Sequence, residues 1–200
     1  MDKLDEHAEI SPIVVWINGV CGIGKTSVCE KLGERLKCGH IIKSDETPED
    51  FSWEMIFKGG GTGNPQTTTT MADWVREIIE RAVDSPCYRY VIVDMAITTT
   101  LSKERVYDYI RDMGINDIHF ILTATQEAVN ERIANDVDRD KVHAYANYHE
   151  YSAYLKSHFD EAIRIDTTDM GIDEVVERII NEIRIVQEQR PDRLNICPEQ

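Results

Sequence analysis

Long apolar runs, paired cysteines and any surplus of positive charge are missing from this chain of 200 residues. No stretch approaches the roughly 20 consecutive apolar residues that a bilayer-crossing helix needs. The opening residues, Met1 to Ile10, are acidic and lack the apolar centre of a signal peptide. A cytoplasmic protein with no membrane partner is therefore expected. The five cysteines, Cys21, Cys29, Cys38, Cys87 and Cys197, contain no C-x-x-C spacing and are odd in number, so they read as reduced thiols. Against 37 Asp and Glu stand only 22 Lys and Arg, a formal net charge of −15. That balance disfavours DNA or RNA, whose phosphates call for a basic face. With 42% hydrophobic and 30% charged residues, the composition suits one globular domain with a full core.

What the chain does contain is the run Gly19-Val20-Cys21-Gly22-Ile23-Gly24-Lys25-Thr26-Ser27, which matches the phosphate-binding pattern G-x-x-x-x-G-K-[ST] at every fixed position. Its surroundings supply the context the chemistry needs. Pro12 to Ile17 is a short β-branched apolar run, expected as a strand buried on both faces of a parallel sheet. Beyond the loop, Val28, Leu32 and Leu36 recur at helical spacing, so a helix should begin near Lys25. Successive backbone N–H groups in such a turn, backed by the positive end of the helix dipole, form an anion cradle. Lys25 is then placed for the β- and γ-phosphates of a nucleoside triphosphate, and the Thr26 hydroxyl for Mg²⁺.

Along the rest of the chain apolar strands alternate with amphipathic helices. His40 to Lys43 reads as a second strand, running into Ser44-Asp45-Glu46. Thr47-Pro48-Glu49-Asp50 signals a helix start, with Phe51, Met55 and Ile56 following, and the glycines from Gly59 to Gly63 mark a candidate substrate loop. A helix is expected from Thr67 to about Asp84, with Trp74, Ile78, Ile79, Ala82 and Val83 as its stripe. Tyr88 to Val93 is a third strand ending at Asp94, and Ser102 to Met113 a helix stopped by Gly114. Ile118 to Leu122 is a fourth strand, followed by a helix from Gln126 to Ala134. His143 to Phe159 is helical in pattern, Ala162 to Asp166 a fifth strand, and Ile172 to Val186 a closing helix. This alternation predicts an α/β fold: a five-stranded parallel sheet between two layers of helices. The expected division is an acidic segment over 1–11, a domain over 12–186 with a helical lid at about 135–160, and a loose tail over 187–200.

Ligands of such sheets bind beyond the carboxyl ends of the strands, which puts the glycine loop, Asp45 and Asp94 on one rim. Asp94 closes an apolar strand where a carboxylate can hold Mg²⁺. Asp45, with Glu46 as competitor, is the candidate to orient a substrate hydroxyl or take its proton. Arg132, and less directly Arg139 and Lys141, are the cations that can close over a triphosphate. Asn135-Asp136-Val137-Asp138 has an aspartate where a guanine-reading N-K-x-D has lysine, which discounts GTP. His143, His149 and His158 lack the i, i+4 spacing of a helical metal pair, and the tyrosines at 145, 148, 151 and 154 read as packing.

Taken together the chain resembles the P-loop small-molecule kinases of the P-loop NTPase class, and within them most the tunicamycin-resistance ATP-binding proteins. The carriers are Val15 to Gly19 leading into Gly24-Lys25-Thr26, the run Tyr90 to Met95, Asn130 to Ile133, and Ile165-Asp166-Thr167 with Val175-Val176-Glu177. The resemblance implies a three-layer sandwich, ATP with Mg²⁺, and a lid whose arginines touch adenine or phosphate, with Arg132 as the matching arginine. A second arginine four positions later is absent, and Asp136 stands there. Phe51 to Pro65, with its triple glycine, also departs from the resistance-protein pattern. The expected function is transfer of the γ-phosphoryl group of ATP to a small hydroxyl-bearing acceptor, antibiotic- or nucleoside-like. Alternatives are a nucleoside or nucleotide kinase, and a non-catalytic ATP-dependent protein that sequesters a ligand or signals.

Overall fold

The computed structural model describes residues 12–44, 69–136 and 145–189. The central strand β1, Ile13–Gly19, is buried along its whole length, as its unbroken β-branched run demands. The glycine loop follows, then helix α1, Lys25–Arg35, which buries Val28, Cys29 and Leu32. Strand β2 is Gly39–Lys43. Helix α2, Thr69–Val83, buries Met71, Ala72, Val75, Ile79 and Ala82. Its inward stripe is thus rotated from the expected one: Trp74, Ile78 and Val83 are only partly buried at its edge. Ala72 and Ala82 take buried positions that Trp74 does not, and periodicity alone cannot rank a tryptophan below an alanine for such a place.

Strand β3 is Tyr90–Asp94. The next helical run, α3, has three pieces: α-helical Thr100–Ser102, π-helical Lys103–Asp108 and α-helical Tyr109–Asp112. The expected stop at Gly114 holds, since this residue sits at φ 75° and donates its N–H to the Arg111 carbonyl at 2.9 Å. Strand β4 is Asp117–Thr123, and helix α4, Gln126–Asn135, is capped by the Thr125 hydroxyl accepting from the Ala128 N–H. Helix α5 is Tyr148–His158, strand β5 is Ile163–Asp166, and helix α6 is Ile172–Gln189. Helix α6 runs three residues beyond the expected end at Val186, into what was expected as loose tail.

All pairings are parallel, and the strand order is β2-β3-β1-β4-β5. Helices α1 and α6 pack together, α2 packs on α3, and α5 lies against β1. Within the second half of the segment expected as lid, Tyr151, Leu155 and Phe159 are buried. The register pairs Ile17 with Asp94 and Lys43 with Asp94, which sets the ends of β2 and β3 beside the glycine loop. Among the described residues no helix is long and apolar enough to cross a membrane.

Candidate functional site

The loop between β1 and α1 owes its shape to glycine at two positions. Gly22 has φ 78°, and a Cβ there would stand 2.4 Å from Ile133 Cγ1 of α4. Gly24 has φ 104° and serves as the N-cap of α1 with no side-chain cap. The first-turn N–H groups of α1 are thus left for an anion. Val20 and Ile23 are buried and anchor the loop from below, while Cys21 is half-buried and Ser27 exposed. Lys25 arches back over the loop, its Nζ donating to the Gly19 carbonyl at 3.1 Å and to the Val20 carbonyl at 3.2 Å. That posture holds the ammonium above the nest.

A cavity of about 580 Å³ opens over these residues. Its walls bring together the loop from Cys21 to Ser27, Ser44, Asp94 and Arg132, with Met170, Ile172 and Val175 as an apolar side. Asp94 is only 4% exposed at the end of β3, and its carbonyl accepts from the Ser44 N–H at 3.1 Å. Burial, reinforced by the Asp94 charge, pushes the Cys29 thiol well above its ordinary range, so this cysteine is inert packing. Cys197 lies outside the described residues.

Arg132 reaches the expected place by an unexpected route. Its guanidinium donates to the Ile23 carbonyl at 3.1 Å, the Thr167 hydroxyl at 3.0 Å and the Thr167 carbonyl at 2.5 Å. It therefore ties α4 both to the glycine loop and to the turn after β5 while bordering the cavity. Asp136, which stands in place of a second arginine, lines the cavity too. Asp45, Glu46, the segment from Thr47 to Thr68, Arg139, Lys141 and His143 lie outside the described residues. Of the threonines after β3, Thr98 is buried and Thr99 forms a reciprocal cap with Ser102, a structural use. Tyr148 donates its hydroxyl to the Ala124 carbonyl at 2.9 Å and Tyr151 is buried, in keeping with packing.

No role is expected from sequence for the turn from Thr167 to Ile172, yet Thr167, Met170, Gly171 and Ile172 line the cavity. The sequence signal is an apolar residue, Ile172, at a helix start; in the structure it is 48% exposed and lines the cavity.

These residues suit a nucleoside triphosphate with Mg²⁺. The loop has no Cβ where phosphate must approach, and an uncapped helix end lies behind it. Among the described residues no three His, Cys, Asp or Glu side chains gather as a self-sufficient metal site. A hydroxyl and a single carboxylate instead match Mg²⁺, which takes its remaining oxygens from phosphate and water.

A phosphate loop at the carboxyl end of the middle strand, in a parallel sheet ordered β2-β3-β1-β4-β5, defines a P-loop protein of the kinase-like class. More particularly, the chain belongs to the AAA domain family, whose model matches residues 15–153. No curated protein matches the sequence. Among solved structures it is similar to the tunicamycin resistance protein of Deinococcus radiodurans, at 25% identity over 86% of this chain and 95% of that one, with a TM-score of 0.66. It shares its fold with the thymidylate kinase of Candida albicans at 13% identity, 88% and 93% coverage and TM-score 0.60. The same holds for a gluconokinase of Sinorhizobium meliloti, at 15% identity, 90% and 96% coverage and TM-score 0.57.

Proposed function

We propose that this protein transfers the γ-phosphoryl group of ATP to a hydroxyl group of a small molecule. One observation carries the reading: a single cavity joins an uncapped helix N-terminus and its lysine to the buried carboxylate at the end of β3. Phosphoryl transfer asks the protein chiefly for positioning and charge compensation, and these groups supply both. The loop amides and Lys25 hold the β- and γ-phosphates. Thr26 and Asp94 would hold Mg²⁺, which when bound neutralises charge on the phosphate oxygens. Asp45, two positions beyond the end of β2, orients the acceptor hydroxyl or takes its proton. Arg132 adds positive charge at the cavity wall, and Met170, Ile172 and Val175 offer an apolar surface to the base. The likeness to a tunicamycin resistance protein supports an antibiotic- or nucleoside-like acceptor.

The test is acceptor-dependent release of ADP across a panel of metabolites, nucleosides and antibiotics. Asp45→Asn should abolish release while ATP binding survives, and Lys25→Ala should weaken ATP binding itself. Full turnover by Asp45→Asn would remove that residue from the mechanism. ATP binding without ADP release for any acceptor would favour a non-catalytic nucleotide-dependent binder.

A further inference from the structure

Asn18, next to last in β1, has no exposed surface and sits between two parts of the site. Its Oδ1 accepts from the Gly19 N–H at 2.7 Å and from the Ile97 N–H at 3.0 Å. Gly19 opens the phosphate loop, and Ile97 stands three positions beyond Asp94. One oxygen atom thus fastens the loop to the chain leaving β3, with both of its lone pairs engaged. An amide has nearly the same shape when turned over, but it would then aim N–H groups at two N–H donors. The other end of the side chain selects the orientation: Asn18 Nδ2 lies 3.2 Å from Nε2 of His119 on β4. Since Oδ1 is committed as acceptor, Nδ2 donates and Nε2 accepts, which assigns the ring proton to Nδ1.

We propose that His119 is a positioning residue for the phosphate loop: accepting at Nε2, it holds the Asn18 amide in the orientation that couples Gly19 to the Asp94 end of β3. The ring is itself fixed, with the Tyr107 ring centroid at 4.9 Å and that of Phe159 at 4.8 Å. Packing alone does not account for a histidine here. Its Nδ1 is buried without a hydrogen-bond partner among the described residues, a cost that phenylalanine would avoid. Around the ring stand Tyr107 and Arg111 of α3 and Arg164 of β5, while Asp117 at the start of β4 pairs with Arg111 at 3.4 Å. Burial first, then the Arg111 and Arg164 charges, keep the imidazole neutral, the state in which Nε2 can accept.

The inference rests on the phosphoryl-transfer reading only for what the loop holds, so the experiment separates the two. Amide hydrogen exchange at Gly19 and Ile97 is compared in the wild type, His119→Phe and His119→Gln, and the affinity of each for a non-hydrolysable ATP analogue with Mg²⁺ is measured by calorimetry. Phenylalanine keeps a ring and removes the acceptor, whereas glutamine restores an acceptor oxygen. In His119→Phe, exchange at both amides should rise together on the order of tenfold, with affinity falling by a similar factor. Amides of α6 such as Ile179 should not change, and His119→Gln should recover most of both losses. Nitrogen NMR of the wild type should find Nε2 unprotonated and Nδ1 protonated. Unchanged exchange at Gly19 and Ile97 in His119→Phe, or a protonated Nε2 in the wild type, overturns the proposal. If His119→Phe does not fold, the wild-type tautomer and the His119→Gln exchange rates decide it. Coupled exchange in a wild type that binds no nucleotide would sink the phosphoryl-transfer reading and leave the positioning role standing.

Discussion

Two glycines of the phosphate loop share a positive φ but differ in what surrounds them, and substitution should separate strain from collision. At Gly24 a Cβ would meet nothing within 4 Å, so Gly24→Ala bears only the backbone cost of φ 104° at a β-carbon, about 1–2 kcal/mol. At Gly22 the same methyl group would stand 2.4 Å from Ile133 Cγ1, in a side chain itself buried under α4. Gly22→Ala should therefore cost about 1–3 kcal/mol beyond the strain, because α4 must move to admit it. Thermal denaturation of the two variants should rank Gly22→Ala as the less stable. Calorimetry should find nucleotide affinity lowered in both, at Gly22 because Ile133 and Arg132 share α4 and Arg132 fastens the loop at Ile23, and at Gly24 because its methyl group would enter the open cavity that phosphate must occupy.

At the scale of one element, α6 carries a stripe in which Val175, Val176, Ile179, Ile180 and Ile183 are buried while Ile185 is 44% exposed. Ile179→Ala should lose about 2–5 kcal/mol by leaving a cavity between α6 and its neighbours. Ile185→Ala should stay within roughly 0.5 kcal/mol. Urea denaturation distinguishes the two, and equal losses would mean that α6 does not pack as described. This helix was legible because its charges fall on one side of a long period. The π-helical stretch from Lys103 to Asp108 was not. It widens one turn in a run whose residues read as ordinary α-helix, and a wider turn brings no change of hydrophobic period large enough to see in six residues. The α5 segment was legible as helix, but which of its residues face the core was not. Its tyrosines look alike in sequence, yet Tyr151 is buried while Tyr148 and Tyr154 are only partly buried.

For the whole molecule, the buried histidine makes a prediction about acid. Burial, with the Arg111 and Arg164 guanidinium groups assisting, drives the His119 imidazole down to about 3, against about 6.5 in an unfolded chain. Below pH 6.5 the unfolded chain therefore binds a proton that the native protein refuses, and stability falls as pH falls through that window. Between pH 7 and pH 5 the loss from this group should be about 2 kcal/mol. Urea denaturation at the two values should find it in the wild type and find it largely removed in His119→Phe. A wild type whose stability did not change across that interval would mean that the ring is not buried as a neutral base.

The sequence by itself determined the order of strands and helices, the phosphate loop, and the carboxylate at the end of β3. Each is a local matter: a β-branched run, a glycine where φ must be positive, a polar residue where an apolar strand stops. Only the tertiary structure decided which strands lie side by side, and with that the pairing of Ile17 with Asp94 that brings the loop to its carboxylate. It alone could also reveal that Arg132 is spent on the carbonyls of Ile23 and Thr167, and that Asn18 meets a histidine 101 positions away. Those contacts join residues distant along the chain, and hydrogen-bonding groups acquire partners only when packing has removed water from around them.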